Sequence, residues 1–195
     1  MEITKEQQII NQLNNEIDIE LPEKERKQLE EWTSLKCSEI VFNSDVDNWS
    51  INTSIFNERI IGKKQLVFLI EDENNEKFGY YLNTDVVEEY GKTIETDNNS
   101  FSFNLKSNGR LKKPMKYEIT NCKRGGYWLY QKEQSSLLFI GDISIEKSNL
   151  KTESWCWQNK SYFNYHNIEH ALCKNTTGKS KTYFIPKKIL VIQMK

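Results

Sequence analysis

The chain is 195 residues long, 37% hydrophobic, and carries 27 basic against 28 acidic side chains, for a formal net charge of −1. That length can bury roughly 70% of the surface an unfolded chain exposes, enough for one core, while the charge balance excludes a histone-like protein that coats nucleic acid by bulk charge. No apolar run approaches the roughly 20 residues of a membrane-spanning helix, and the opening Met1-Glu-Ile-Thr-Lys-Glu-Gln-Gln8 lacks the apolar stretch of a signal peptide, so a soluble cytoplasmic or nuclear protein without membrane insertion is expected.

Residues 5–21 place Ile9, Ile10, Leu13 and Ile17 at helical spacing among polar residues. Pro22 interrupts this stretch and suits the first turn of a second helix, Glu23 to about Trp32, rich in Glu, Lys and Arg. We read residues 1–32 as an N-terminal helical arm and 33–195 as the folded domain. Three roles for the arm stay open: a solvated helix, a coiled-coil stub that dimerises the protein, or a helix laid on the domain.

From about residue 35, short β-rich runs follow at close intervals: Glu39–Phe42, Gln65–Glu71, Phe78–Leu82, Phe101–Lys106, Tyr117–Thr120, Tyr127–Tyr130, Ser136–Ile140 and Lys188–Met194. Leu66-Val-Phe-Leu-Ile70 is apolar throughout, as in a central strand covered on both faces. Phe101-Ser-Phe-Asn-Leu105 alternates strictly, which predicts a half-buried strand. Glu73-Asn-Asn-Glu76 reads as a hairpin loop. Gly79 marks a strand site closely approached by a neighbour, and Gly141 a bend or bulge. Helices are expected at Asn52–Ile61, ended by Gly62, at Asp85–Tyr90, ended by Gly91, and at Tyr165–Cys173. The pattern gives an α+β, mainly β fold of antiparallel sheets with short flanking helices.

The chemistry-bearing residues are few. His166-Asn-Ile-Glu169-His170 matches the inverted zincin motif, in which a helix presents both imidazoles to zinc and the glutamate acts as base. A third, acidic ligand is needed downstream, and residues 171–195 contain no Asp or Glu. A structural zinc site from Cys156, His166, His170 and Cys173 is the alternative use. The four cysteines, Cys37, Cys122, Cys156 and Cys173, form no CxxC and are expected to be reduced, packed thiols. Gly178-Lys179-Ser180 resembles the end of a phosphate-binding loop, but its first glycine is replaced by Cys173. No nucleophile-elbow GxSxG occurs. These readings favour a non-enzymatic protein without cofactor.

Charge is unevenly placed. Residues 106–124 hold Lys106, Arg110, Lys112, Lys113, Lys116, Lys123 and Arg124 against Glu118 alone, and residues 174–195 hold six lysines, Lys187 and Lys188 among them, and no acid. Residues 71–97 carry nine acids and two bases. With Tyr117, Tyr127 and Trp128 close in sequence, the two basic stretches are candidate contacts for DNA or an acidic partner, and as solvated strand faces they need not meet in space.

Taken in order, Ile40-Val-Phe-Asn-Ser44, Leu66-Val-Phe-Leu-Ile-Glu-Asp72, Phe78-Gly-Tyr-Tyr81, Ser100-Phe-Ser-Phe103, Leu138-Phe-Ile-Gly141, Cys156-Trp-Gln-Asn159 and Tyr183-Phe-Ile-Pro186 before Ile189-Leu-Val-Ile-Gln-Met194 resemble the TLDc domain of the oxidation-resistance proteins. The resemblance covers about residues 30–195. It implies a sandwich of two antiparallel sheets, structural roles for Phe78, Gly79, Phe101, Phe103 and Gly141, and no catalytic activity. It also implies a part in oxidative-stress protection through protein contacts, with stress-response factors or subunits of the vacuolar proton-pumping ATPase as partners. The chain departs from the family pattern at Asp142-Ile-Ser-Ile-Glu146 and at its Gln193-Met194 ending, and it lacks the LysM or TBC companions of larger members. The other functions to be weighed are a DNA-binding regulator using the basic stretches and a small zinc hydrolase using His166, Glu169 and His170.

Overall fold

The structure is a computed structural model that describes residues 21–150, 153–174 and 181–195. The Ile9, Leu13 and Ile17 stripe and the Gly178-Lys179-Ser180 tripeptide lie outside the described residues. In chain order the elements are α1 (Glu23–Thr33), β1 (Cys37–Asn43), α2 (Phe56–Ile60), β2 (Leu66–Asp72), β3 (Lys77–Leu82), β4 (Phe101–Lys106), β5 (Met115–Glu118), β6 (Tyr127–Leu129), β7 (Ser136–Ile140), β8 (Ile143–Glu146), β9 (Ser154–Cys156), β10 (Thr182–Phe184) and β11 (Pro186–Met194). The strands make two antiparallel sheets. Sheet A has the order β1-β11-β2-β3-β4-β5 and sheet B the order β10-β9-β8-β7-β6.

The inner faces share one core. Leu66, Phe68, Ile70, Phe78 and Tyr80 of sheet A meet Leu129, Leu138, Ile140, Ile143, Ile145 and Phe184 of sheet B. Phe78 packs edge-on against Phe184, with ring centroids 5.0 Å apart. The outer face of sheet A is apolar as well: Val67, Leu69, Phe101, Phe103, Leu190 and Ile192 form a second cluster with Leu29 of α1. This explains the unbroken apolar run of β2, which lies between β11 and β3 and is covered on both sides.

Helix α1 starts after Pro22, has Glu23 and Glu25 in its first turn, and stops at Ser34 in a left-handed conformation. It lies on sheet A through Leu29, which is fully buried, and through Trp32, whose ring sits 6.0 Å from that of Phe103. Burying a leucine this completely contributes roughly 1.5–3 kcal/mol. An ion pair between Lys77 Nζ and Glu25 at 2.8 Å ties the helix to β3.

Three expectations are corrected. Only Phe56–Ile60 of the 52–61 stretch is helical, Asn52 having a positive φ of 67° in a preceding turn. Residues 85–90 are not helical, because their backbone is engaged elsewhere. The Val86 N–H donates to Lys63 O at 2.8 Å, Val87 N–H donates to the Tyr127 hydroxyl at 2.8 Å, and Tyr90 bridges to Leu129 on the edge strand β6. Residues 165–173 form turns, with positive φ at His166, Asn167 and His170. The β4 strand also differs from its half-buried reading. Phe101 and Phe103 face α1, while Ser102 and Asn104 are buried too, on the opposite face of the strand.

The two glycines behave as their contexts predict. A Cβ on Gly79 would lie 1.9 Å from the Phe68 carbonyl oxygen and 3.0 Å from the Phe103 ring. Gly141 has a φ of +58° at the first position of the two-residue turn joining β7 to β8, as type II′ hairpins require.

Candidate functional site

Every strand of sheet B is short, so each turns one or two side chains away from the core, and register decides whether these meet. Tyr183 stands opposite Trp155, Trp155 opposite Ser144, Ser144 opposite Phe139, and Phe139 opposite Trp128. One row of outward residues therefore crosses all five strands, and four of its five members are aromatic. Trp155 and Phe139 lean together above the small Ser144, with ring centroids 5.8 Å apart and planes at 45°, which buries the serine. Trp128 stacks with Tyr130 at 6.1 Å, Trp157 meets Tyr162 edge-on, and Lys181 Nζ lies 3.8 Å above the Trp155 ring. Trp157 is 39% exposed, Tyr183 41% and Ile185 56%. Rings in register on one sheet face mark a binding surface, and Trp and Tyr are the side chains that concentrate binding energy. Of the aromatics that stand beside the basic stretches in the sequence, Trp128 belongs to this surface, while Tyr117 and Tyr127 are buried.

The structure does not assemble the zinc set. Cys156 and Cys173 are joined as a disulfide, which corrects the expectation of reduced thiols for these two while Cys37 and Cys122 are free, and the two sulfurs are thereby spent on each other. The histidines are not on a helix, so the spacing that would align them fails, and His166 instead lies 3.6 Å from Glu118. Among the described residues no group of three His, Cys, Asp or Glu is placed to hold a metal ion. The 170–174 stretch is an irregular strap between the sheets, and side chains satisfy its backbone. Arg110 donates to the carbonyls of His170 and Leu172, Tyr117 to that of Ala171, and Asn104 to that of Leu172. Gln158 accepts from Leu172 N–H and Glu76 from Lys174 N–H.

The basic residues disperse. Arg110 is held by Glu76 at 2.9 Å, Lys116 lies 5.0 Å from the centre of the Phe101 ring, Lys187 reaches Glu71 at 3.2 Å and Lys188 reaches Asp45 at 2.7 Å. Lys106, Lys112 and Lys113 lie exposed at the β4–β5 turn. Lys123 and Arg124 lie beyond the other end of β5, in the loop that enters β6. The 106–124 stretch is thus divided between two ends of the molecule.

Two buried charged groups have local structural work. Asp142 occupies the second position of the β7–β8 turn and points inward. Its carboxylate accepts from the Tyr165 hydroxyl at 2.9 Å and from the Asn159 N–H. Burial raises its pKa to about 7, against the opposing effect of those two hydrogen bonds. Its other oxygen, the Ser102 hydroxyl and the Asn104 side-chain Oδ1 have no partner among the described residues. Lys147 is 3% exposed and gives its three protons to the carbonyls of Gln131, Lys132 and Gln134. Burial lowers its pKa, but an amine so occupied pins the β6–β7 loop and has no donor left for a ligand.

Among the described residues no helix is long and apolar enough to cross a membrane. No family model matches the chain, and comparison with curated proteins returns no match.

Proposed function

We propose that the chain is a non-enzymatic interaction protein that docks a partner protein on the outer face of sheet B. The aromatic row Tyr183, Trp155, Phe139 and Trp128 carries this reading, because rings in register from four of the five strands give a surface enriched in the side chains that dominate protein contacts. The resemblance to TLDc domains supplies the class of partner: subunits of a proton-pumping ATPase or stress-response factors. Pull-down from lysate with the purified chain tests it. The expected capture includes one of those two classes and is lost in the Trp157→Ala, Tyr183→Ala double variant with folding unchanged. A capture lacking both classes, or one indifferent to the double variant, overturns the reading.

A further inference from the structure

We infer that the partner presents an acidic, ring-bearing protein segment to the aromatic face, its carboxylates lying against one end of sheet B; this rests on the reading of that face as the docking surface. The end in question is fixed by register. Tyr127, Ile140, Ile143, Cys156 and Thr182 form one row across the sheet. Immediately beyond that row lie the loops 121–126, 141–142 and 157–162, together with Lys181 at the start of β10. Backbone hydrogen bonds lace them together: Gly141 N–H donates to Gly126 O at 2.8 Å, and Trp157 N–H to Asp142 O at 2.8 Å.

These loops and the strand ends they join, residues 121–128, 139–144, 155–162 and 181–183, contain Lys123, Arg124, Lys160 and Lys181. Their one carboxylate is Asp142, which is 0% exposed and turned inward. Lys123, Arg124 and Lys160 are exposed, and none has a carboxylate within 4.0 Å among the described residues. Lys181 lies over Trp155 itself. Several other cations are neutralised, Lys77 by Glu25, Arg110 by Glu76 and Lys187 by Glu71. Carboxylates border this end, Glu95 beside Gly126 and Glu146 at 3.5 Å from Ser144 Oγ, but none pairs with Lys123, Arg124 or Lys160, so these open cations adjoining Trp128, Phe139, Trp155 and Trp157 are complementary to acidic residues flanking an aromatic or aliphatic anchor.

The ring geometry favours a protein over a nucleic acid strand. Bases bind by stacking on successive bare ring faces. Here Lys181 covers a face of Trp155, Trp128 already stacks with Tyr130, and Phe139 is tilted against Trp155.

The test uses the full chain and three fluorescent probes: a random glutamate–tyrosine copolymer, polyglutamate and oligothymidylate, each titrated by anisotropy. The copolymer is expected to bind, about tenfold tighter than polyglutamate, and to weaken about tenfold between about 50 and 300 mM salt as the exposed charges are screened. The Lys123→Glu, Arg124→Glu, Lys160→Glu triple variant is expected to lose at least about tenfold in copolymer affinity with its thermal midpoint unchanged. No copolymer binding, oligothymidylate binding tighter than the copolymer, or a triple variant that binds like the wild type each overturns the inference. The two readings fail separately: if the triple variant still captures the wild-type partner set from lysate while the Trp157→Ala, Tyr183→Ala variant does not, the docking surface stands and the acidic partner falls.

Discussion

Asp142 is a carboxyl group at a tight turn whose neighbours leave it out of water, and its titration should be legible in the stability of the whole protein. Its unfolded value is close to 3.9, and burial raises the folded one to about 7. Between those values the native state holds a proton that the unfolded state has released, so this group's contribution to stability falls as pH rises from about 4 to about 7 and is flat outside that window. Three pH units correspond to roughly 4 kcal/mol. Denaturant unfolding at a series of pH values is expected to show the decline, and Asp142→Asn, which keeps an acceptor for Tyr165 but has no proton to lose, is expected to flatten it. An unchanged slope in the variant would mean that Asp142 is ionised throughout. Gly79 makes a second case at this scale. Because an added Cβ would meet the Phe68 carbonyl oxygen at 1.9 Å in the middle of sheet A, Gly79→Ala must displace backbone and is expected to cost at least about 1–3 kcal/mol in thermal or chemical unfolding.

The 170–174 strap is the element whose stability is least local. Its hydrogen bonds reach Arg110, Tyr117, Asn104 and Glu76, residues carried by the sheet A strands or their loops, and its disulfide reaches β9 of sheet B. Opening the Cys156–Cys173 bridge frees a loop spanning a sequence separation of 17, so Cys173→Ser is expected to lose about 3 kcal/mol in unfolding under oxidising conditions. The same loss should follow reduction of the wild type and be absent on reducing the variant. Such an element could not be read from sequence, since no periodic pattern marks it and its hydrogen-bonding partners, Gln158 apart, are 54 to 98 residues away. The strands divide on the same ground. β2 and β7 announce themselves by apolar runs, whereas β9 and β10 are three residues long, too short for alternation to show. For β4 the alternation was legible and its meaning was not, because α1 covers the face that alternation alone would assign to the interior of the sandwich. The aromatic surface was hidden for a related reason: its residues come from strands that only register brings into line, so Trp128 alone stood out beside the basic stretches.

At the scale of the molecule the two sheets are finished differently. Sheet A carries a continuous apolar outer face, and α1 closes it through Leu29 and Trp32. Both described helices pack on β1 of that sheet. Sheet B turns out an equally apolar row but leaves Trp157 and Tyr183 more than a third exposed. If the covered face serves stability and the open one serves binding, truncations on the two faces must separate in measurement. Leu29→Ala removes a fully buried side chain from the α1 seam and is expected to cost about 2–5 kcal/mol, with increased dye binding as Phe101 and Phe103 become accessible. Tyr183→Ala trims a side chain already 41% exposed and is expected to shift stability by no more than about 1 kcal/mol, while reducing copolymer affinity at least about tenfold. Because the two mutated positions lie on opposite layers and share no described contact, their stability effects should add. The reverse outcome, a Tyr183→Ala protein that is strongly destabilised but binds normally, would make the aromatic row part of the core of the fold and leave sheet B without a docking role.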